Sequence, residues 1–207
     1  VTGRTLTPIA LAALELLHEG PRHPYEIHQT MRERAMWQLF KLTTGSLYHT
    51  IDRLAADGLI EAVQTSREGR RPERTIYRLT GAGRDGFAER LRAMVAEPAN
   101  EYPQFQVAMA LLHELDRADA LTQLRRRALL LEAQVAAERV VCERLTERGL
   151  PELYWVEVDL RRHLRAAELS WTRRIIERLE SQELAWPDEC DMTAPRLSLV
   201  HERKNAG

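Results

Sequence analysis

Apolar residues recur along this chain at two different spacings, and the change from one to the other outlines its elements. Ile9, Leu11, Leu14, Leu16 and Leu17 follow the helical period on more than one side, which predicts a first helix buried over much of its surface. Thr7 caps it, Pro8 takes the first helical position, where its missing N–H does no harm, and Gly20-Pro21 stops it near His18. Pro24 opens a second helix reaching about Ala35, with Ile27, Met31 and Ala35 inward and His28, Gln29 and Arg32 outside. Trp37–Leu42 is short and apolar and reads as a small edge strand. Leu47, Ile51, Leu54 and Ala55 define a third helix, about Thr44–Asp57, capped by Thr43 or Thr44 and ended at Gly58. The spacing then changes. Two extended runs, about Leu59–Thr65 and Arg74–Leu79, flank a loop, Ser66–Glu73, that contains Gly69 and Pro72 and no apolar residue. Thr80 caps a fourth helix to about Ala96, with Phe87, Leu91, Met94 and Val95 on one face.

Glu97-Pro98-Ala99-Asn100 breaks the pattern and marks a domain boundary. Tyr102–Leu115 reads as a short helix, and Asp116 or Asp119 caps the next. That long helix, about Ala118–Arg148, has small or apolar residues at 121, 124, 128, 131, 135, 142 and 145, a heptad-like seam interrupted by Glu138. Gly149-Leu150-Pro151 is a stop and restart. The last helix, about Pro151–Glu183, has Leu153, Val156, Leu160, Leu164, Ala167, Trp171, Ile175 and Leu179 at spacings of three and four. Two antiparallel helices of this length make a hairpin that leaves apolar surface open unless it meets a partner, and a second copy is the expected partner. The fold class is therefore mainly α: a winged helix-turn-helix with a small β-wing, then an all-α antiparallel helical dimerisation domain. The expected divisions are 1–97 for the winged domain, 101–186 for the helical domain, and a disordered tail over 187–207.

Charge sharpens this division. The 207 residues have a net charge of −1. Residues 1–95 hold 14 Lys and Arg against 11 Asp and Glu, while the remainder holds 16 against 20. A mildly basic reading domain joined to an acidic partner domain fits that split. No apolar run approaches the ~20 residues of a membrane helix. The N-terminus lacks a charged-then-apolar signal layout, so a cytoplasmic location is expected. Cys142 and Cys190 stand far apart, which gives no disulfide framework.

On the third helix, Ser46, His49, Thr50 and Arg53 are spaced i, i+3, i+4, i+7 and form a polar, cationic face suited to base edges in a major groove. The first-turn N–H groups, at Thr44, can face a phosphate. The loop that follows carries Arg67, Arg70 and Arg71, with Arg74 beside it, and has nothing apolar to cover. Arginines in such a wing track phosphates or enter a minor groove, unless Glu68 and Glu73 pair with them. Tyr25 either bonds a phosphate through its hydroxyl or packs half-buried.

These residues carry a family resemblance. Gly45-Ser46-Leu47-Tyr48, Arg53-Leu54, Gly58-Leu59-Ile60, Gly69-Arg70, Tyr77-Arg78-Leu79-Thr80 and Gly83 resemble the winged-helix motif of the PadR-like transcriptional regulators. His23-Pro24-Tyr25-Glu26-Ile27 is similar to the family's His-Gly-Tyr-Glu-Ile segment, with Pro24 in place of the usual glycine. The match in motif covers residues 5 to 95; beyond 100 it is one of length and helical pattern. The resemblance makes Tyr48 a phosphate contact or a core residue. It implies a dimeric repressor on a pseudo-palindromic duplex, and in some members control by a small aromatic or drug-like effector. Trp37, Tyr102, Phe105, Trp155 and Trp171 are the candidate walls of an effector pocket, with core and dimer packing as their alternative role.

The remaining chemistry is negative. The seven histidines lack metal-ligand spacing, so neither a metal nor a cofactor is expected. Ser46 has His49 nearby but no Gly-x-Ser-x-Gly elbow, and Gly81-Ala82-Gly83 is too short for a phosphate loop. The expectation is a DNA-binding regulator and not an enzyme, with a winged-helix protein-interaction module as the alternative.

Overall fold

A computed structural model describes residues 5–66 and 74–187. The expected tail beyond Pro187, and the wing-tip arginines Arg67, Arg70 and Arg71, lie outside the described residues. The chain divides into two compact units, Val1–Glu101 and Tyr102–Gly207.

The first unit is built round α1 (Pro8–His18). Thr7 caps it: its Oγ1 accepts from the Ala10 N–H at 3.3 Å. Ala10, Ala13, Leu14, Leu16 and Leu17 are buried because α1 meets α2 (Pro24–Glu33), α3 (Thr44–Ala56), the sheet and α4 (Gly81–Ala96) within this one unit. Pro24 stands at the start of α2, where no N–H is needed, and the chain is tied down around it. The Tyr25 N–H donates to His23 Nδ1 at 3.1 Å, and the Glu26 carboxylate accepts from the His23 N–H at 2.8 Å. Helix α2 ends two residues before Ala35, which adopts φ +54° and leads into a 3-10 turn over Met36–Gln38.

The segment Trp37–Leu42 does not form the expected edge strand. The two-stranded wing pairs β1 (Ile60–Ser66) antiparallel with β2 (Arg74–Leu79), Ile60 opposite Leu79 and Ser66 opposite Arg74. The outer edge of β2 is occupied by Arg22, which exchanges two 3.0 Å backbone hydrogen bonds with Tyr77. The left-handed turn at Ala35 takes the following residues into a helical turn instead. A bulge between Ala62 and Gln64 interrupts the ladder.

Gly83 shows why a glycine stands at the start of α4. A Cβ there would lie 2.0 Å from the Leu59 carbonyl oxygen and 2.7 Å from Leu79 Cδ1. The helix start is pressed against the strand that Thr80 clasps, its Oγ1 donating to backbone oxygens of Gly58 and Leu59 at 2.8 and 2.9 Å.

In the second unit, α5 (Gln104–Ala110) is followed by a 3-10 turn, Leu112–Glu114, then α6 (Arg117–Glu147) and α7 (Val156–Glu180) pack as a hairpin. Leu121, Leu124, Ala128 and Leu131 of α6 meet Leu169, Ile175, Ile176 and Leu179 of α7. Glu138, the interruption in the α6 seam, is buried, and the Arg161 Nε donates to its Oε1 at 2.7 Å while Arg165 pairs with the same oxygen. The α7 stripe divides. Ile175 and Leu179 face α6, but Leu160 and Leu164 are 57% and 64% exposed, and Leu153, 83% exposed, lies before α7 in a 3-10 turn (Glu152–Tyr154) where the expected helix from Pro151 has not yet begun. Toward its start, α7 turns Val158, Arg161 and Arg165 to α6, so the leucine stripe there points away.

Two carboxylates at the α1–α2 junction respond oppositely to pH. The Arg34 guanidinium, 2.6 Å away, holds Glu19 below its ordinary value, whereas burial pushes Glu15 up. The stabilisation from Glu19 is present above the ordinary carboxylate value and lost as pH falls through its lowered one. Glu15 is destabilising once pH rises above the ordinary value. Glu19→Gln should cost a few tenths of a kcal/mol to about 1 near neutrality, as screened pairs do, and nothing in acid. Glu15→Gln should be neutral to stabilising near neutrality; urea unfolding at both pH values measures each. In the same assay Gly83→Ala should cost about 2–3 kcal/mol from overpacking against backbone.

Candidate nucleic-acid interface

The rotation of α3 is set by Leu47, Ile51 and Leu54, each no more than 1% exposed. Thr43 fixes the helix start. Its Oγ1 accepts from the Ser46 N–H at 3.1 Å, and the Ser46 hydroxyl donates to the Thr43 carbonyl at 2.8 Å while accepting from the Thr43 N–H at 3.1 Å. These contacts determine which residues are left outside.

The outward arc holds Thr44, Gly45, Tyr48, His49, Asp52 and Ala56, all exposed. Asp52 lies near its middle, with Tyr48 to one side and His49 at the edge next to Arg53. Thr50 does not lie in the arc. It is 6% exposed, and its hydroxyl donates to the Ser46 carbonyl at 2.7 Å. The reason is its place four residues before Leu54: at 3.6 residues per turn that is only about 40° from a core position. Ser46 and Arg53 are half-buried at the flank of the arc. The Ser46 hydroxyl is used in the cap, and an Arg53 guanidinium nitrogen lies 3.4 Å from Thr7 Oγ1. Sequence reasoning missed Asp52. It stands one turn beyond Tyr48 and His49, and the three-and-four spacing from Gly45 to Ala56 was the signal that could have found it.

Helix α2 adds a second exposed surface. Tyr25 is 62% exposed, and with His28, Gln29, Arg32 and Glu33 it lines a shallow groove of about 380 Å³. Arg74 starts β2 at the far end of the wing ladder. At the other end of the ladder, Arg78 donates to Glu61 across the strands at 2.7 Å. Burial, with the Asp52 charge as a second cause, raises the Tyr77 phenol above its ordinary value.

The model of the "Transcriptional regulator PadR-like family" matches residues 13–89, from within α1 into α4. Over 86 residues the chain is 34% identical to the transcriptional regulator Rv3488 of Mycobacterium tuberculosis, a match covering 41% of this chain and 77% of that protein. The chain belongs to the PadR-like family of transcriptional regulators. It is thus a DNA-binding regulator with a winged helix.

Solved PadR structures share the fold. Bacillus subtilis PadR in complex with operator DNA aligns at a TM-score of 0.65 and 20% identity, covering 84% of this chain and 99% of that one. The same protein in complex with p-coumaric acid aligns at 0.63 and 17%, covering 84% and 98%.

Of the five aromatic residues expected to wall one pocket, Phe105, Trp155, Trp171 and Tyr102 belong to the second unit and Trp37 to the first. Phe105 and Trp171 meet edge to face at 5.9 Å, with the Arg127 guanidinium 3.5 Å from the Phe105 ring centre. Trp155 is buried near the start of α7, its indole N–H donating to the Leu150 carbonyl at 3.2 Å. It lies sixteen residues, or about 24 Å of helix, from Trp171. Tyr102 is 78% exposed with φ +47°, and Trp37 is 59% exposed in the first unit.

The burial pattern separates neighbours on α3. His49→Ala should weaken DNA binding by about tenfold, the scale of a single base-edge hydrogen bond. Thr50→Val, which keeps shape at a buried position, should leave binding unchanged. Titration of each variant into a labelled duplex distinguishes them.

Proposed function

We propose that this PadR-like chain is a homodimeric repressor that binds a pseudo-palindromic operator through α3 of each protomer. The observation that carries the reading is the outward arc of α3, with Thr44, Tyr48 and His49 exposed beside the cap formed by Thr43 and Ser46. His49 and Tyr48 are the candidate base contacts, Thr44 supplies first-turn N–H groups to a phosphate, and Ser46 and Arg53 flank them. Tyr25 on α2, with Arg70, Arg71 and Arg74 of the wing, tracks the backbone. The operator complex of Bacillus subtilis PadR supports this docking by likeness of fold.

Dimerisation uses the stripe that α7 leaves open. Leu153, Leu160, Leu164, Ala167 and Trp171 are exposed, and the last four keep the spacing of a coiled-coil seam. Leu130 and Val140 extend the exposed apolar surface on α6. An open stripe of that length on a paired helix supports a second copy as its cover, with two-fold symmetry matching the operator. A small aromatic effector is the third part of the reading, by analogy with the p-coumaric acid complex. Phe105 and Trp171 offer an aromatic wall to such an acid, beside an Arg127 guanidinium that is paired with Glu168.

The test is a salt-titrated binding assay with promoter DNA of the protein's own gene and its neighbours, against an unrelated duplex of equal length. Tight, sequence-preferring binding that weakens steeply with salt is expected. Arg70→Ala should lower the salt slope by about one unit for each phosphate it no longer neutralises. Equal, weak binding to both duplexes would overturn the operator reading. Leu160→Glu with Leu164→Glu should yield monomers in sedimentation and lose on the order of 100-fold in operator affinity, because two linked half-sites are no longer held together.

A further inference from the structure

The outward arc of α3 contains one carboxylate and no lysine or arginine. Gly45 and Ala56 at its ends are too short to reach a base edge, so Tyr48, His49 and Asp52 are the side chains that extend between them. Asp52 is exposed, and among the described residues no cation is paired with it. In a groove walled by phosphates, such a group is repelled whatever the sequence. It is offset only where a base presents a hydrogen-bond donor, because an ionised carboxylate only accepts. In the major groove, guanine shows two acceptors, thymine a carbonyl oxygen and a methyl group, and adenine an amino group beside the acceptor N7. Cytosine shows the N4 amino group alone.

We propose that Asp52 is a specificity-determining residue that accepts a hydrogen bond from a cytosine N4 amino group in the major groove of each operator half-site. The inference rests on the docking of α3 proposed above. Asp52 follows His49 by three residues, so the base it reads lies beside the one His49 reads.

The experiment is selection from random duplexes by the full-length protein and by D52A and D52N, with thermal melting to show that all three are folded. The wild type should enrich cytosine at one position in each half-site. Replacing that C·G pair by T·A should weaken wild-type binding by about tenfold per half-site and leave D52A binding unchanged. D52N, whose amide both donates and accepts, should move the preference at that position toward adenine. Both variants should bind unrelated DNA as well as the wild type or better, since a repelled charge is gone. If D52A and D52N select the wild-type sequence with the same ratios, Asp52 reads nothing and the proposal falls. The pair replacement needs no variant, so a wild type indifferent to every C·G pair of its selected site also overturns it. A wild type that selects no sequence at all would overturn the operator reading itself, a different failure.

Discussion

Leu47, Ile51 and Leu54 anchor α3, and the face that this helix leaves exposed depends on their burial. The three are held against α1 and α2, and with the Thr43 cap they leave α3 no freedom to rotate. A turn of one residue would swing the exposed face by about 100° and replace His49 and Asp52 by core residues. Helix α1 makes this possible. Its buried residues point in several directions because it contacts the other helices and the sheet of the unit. The same core holds Leu79 and Ile60, so the wing is braced on the residues that orient the helix.

The elements themselves were legible in the sequence, because their boundaries are set by local chemistry. Thr7-Pro8, Thr43 and Thr80 cap where capping residues belong, and Gly58 ends α3 in the left-handed region open to glycine. The site was legible only in part. Choosing polar residue types at helical spacing gave Ser46, His49, Thr50 and Arg53, and residue type was a poor guide to the outward direction. Thr50 is polar but sits beside Leu54, with its hydroxyl satisfied by the helix's own backbone. Asp52 falls outside that set, although its position in the exposed arc is central. The third sheet edge was missed for another reason. Arg22 forms it as a single bridged residue, too short to give a strand pattern, while the short apolar run at Trp37–Leu42 suggested a strand without the backbone geometry for one.

In the helical unit, a charge sits where the heptad pattern asks for an apolar residue. Glu138 is matched by Arg161 and Arg165 from the facing helix, so its burial requires those partners at that register. Because Arg161 and Arg165 stand one turn apart, sliding α7 by one turn would take one of the two from Glu138, whereas a shift of half a turn would leave a buried carboxylate unpaired, which costs about 3–5 kcal/mol. The ion cluster thus fixes the register where apolar contact is sparse. It also accounts for the exposed leucines. With Arg161 and Arg165 turned to Glu138, Leu160 and Leu164, each about 100° round the helix from the arginine that follows it, are carried outward on the adjoining face. The sequence shows a single stripe over 153–179, and the structure divides it into an outward-facing part and a core part.

The chemistry of the two exposed faces in the first unit separates affinity from selectivity. On the proposed docking, the outward arc of α3 brings no lysine or arginine to the groove, and Arg53 leans back toward Thr7. Attraction to phosphate must then come from outside that arc, from α2 with Arg32 and Tyr25, from helix N–H groups, and from the arginines at and around the wing tip. Those contacts hold any duplex with nearly equal strength. An arc of tyrosine, imidazole and carboxylate adds little to that general attraction and subtracts from it at most sequences. A protein so arranged gains selectivity by making wrong sites worse, which suits a regulator that must ignore most of the DNA it meets.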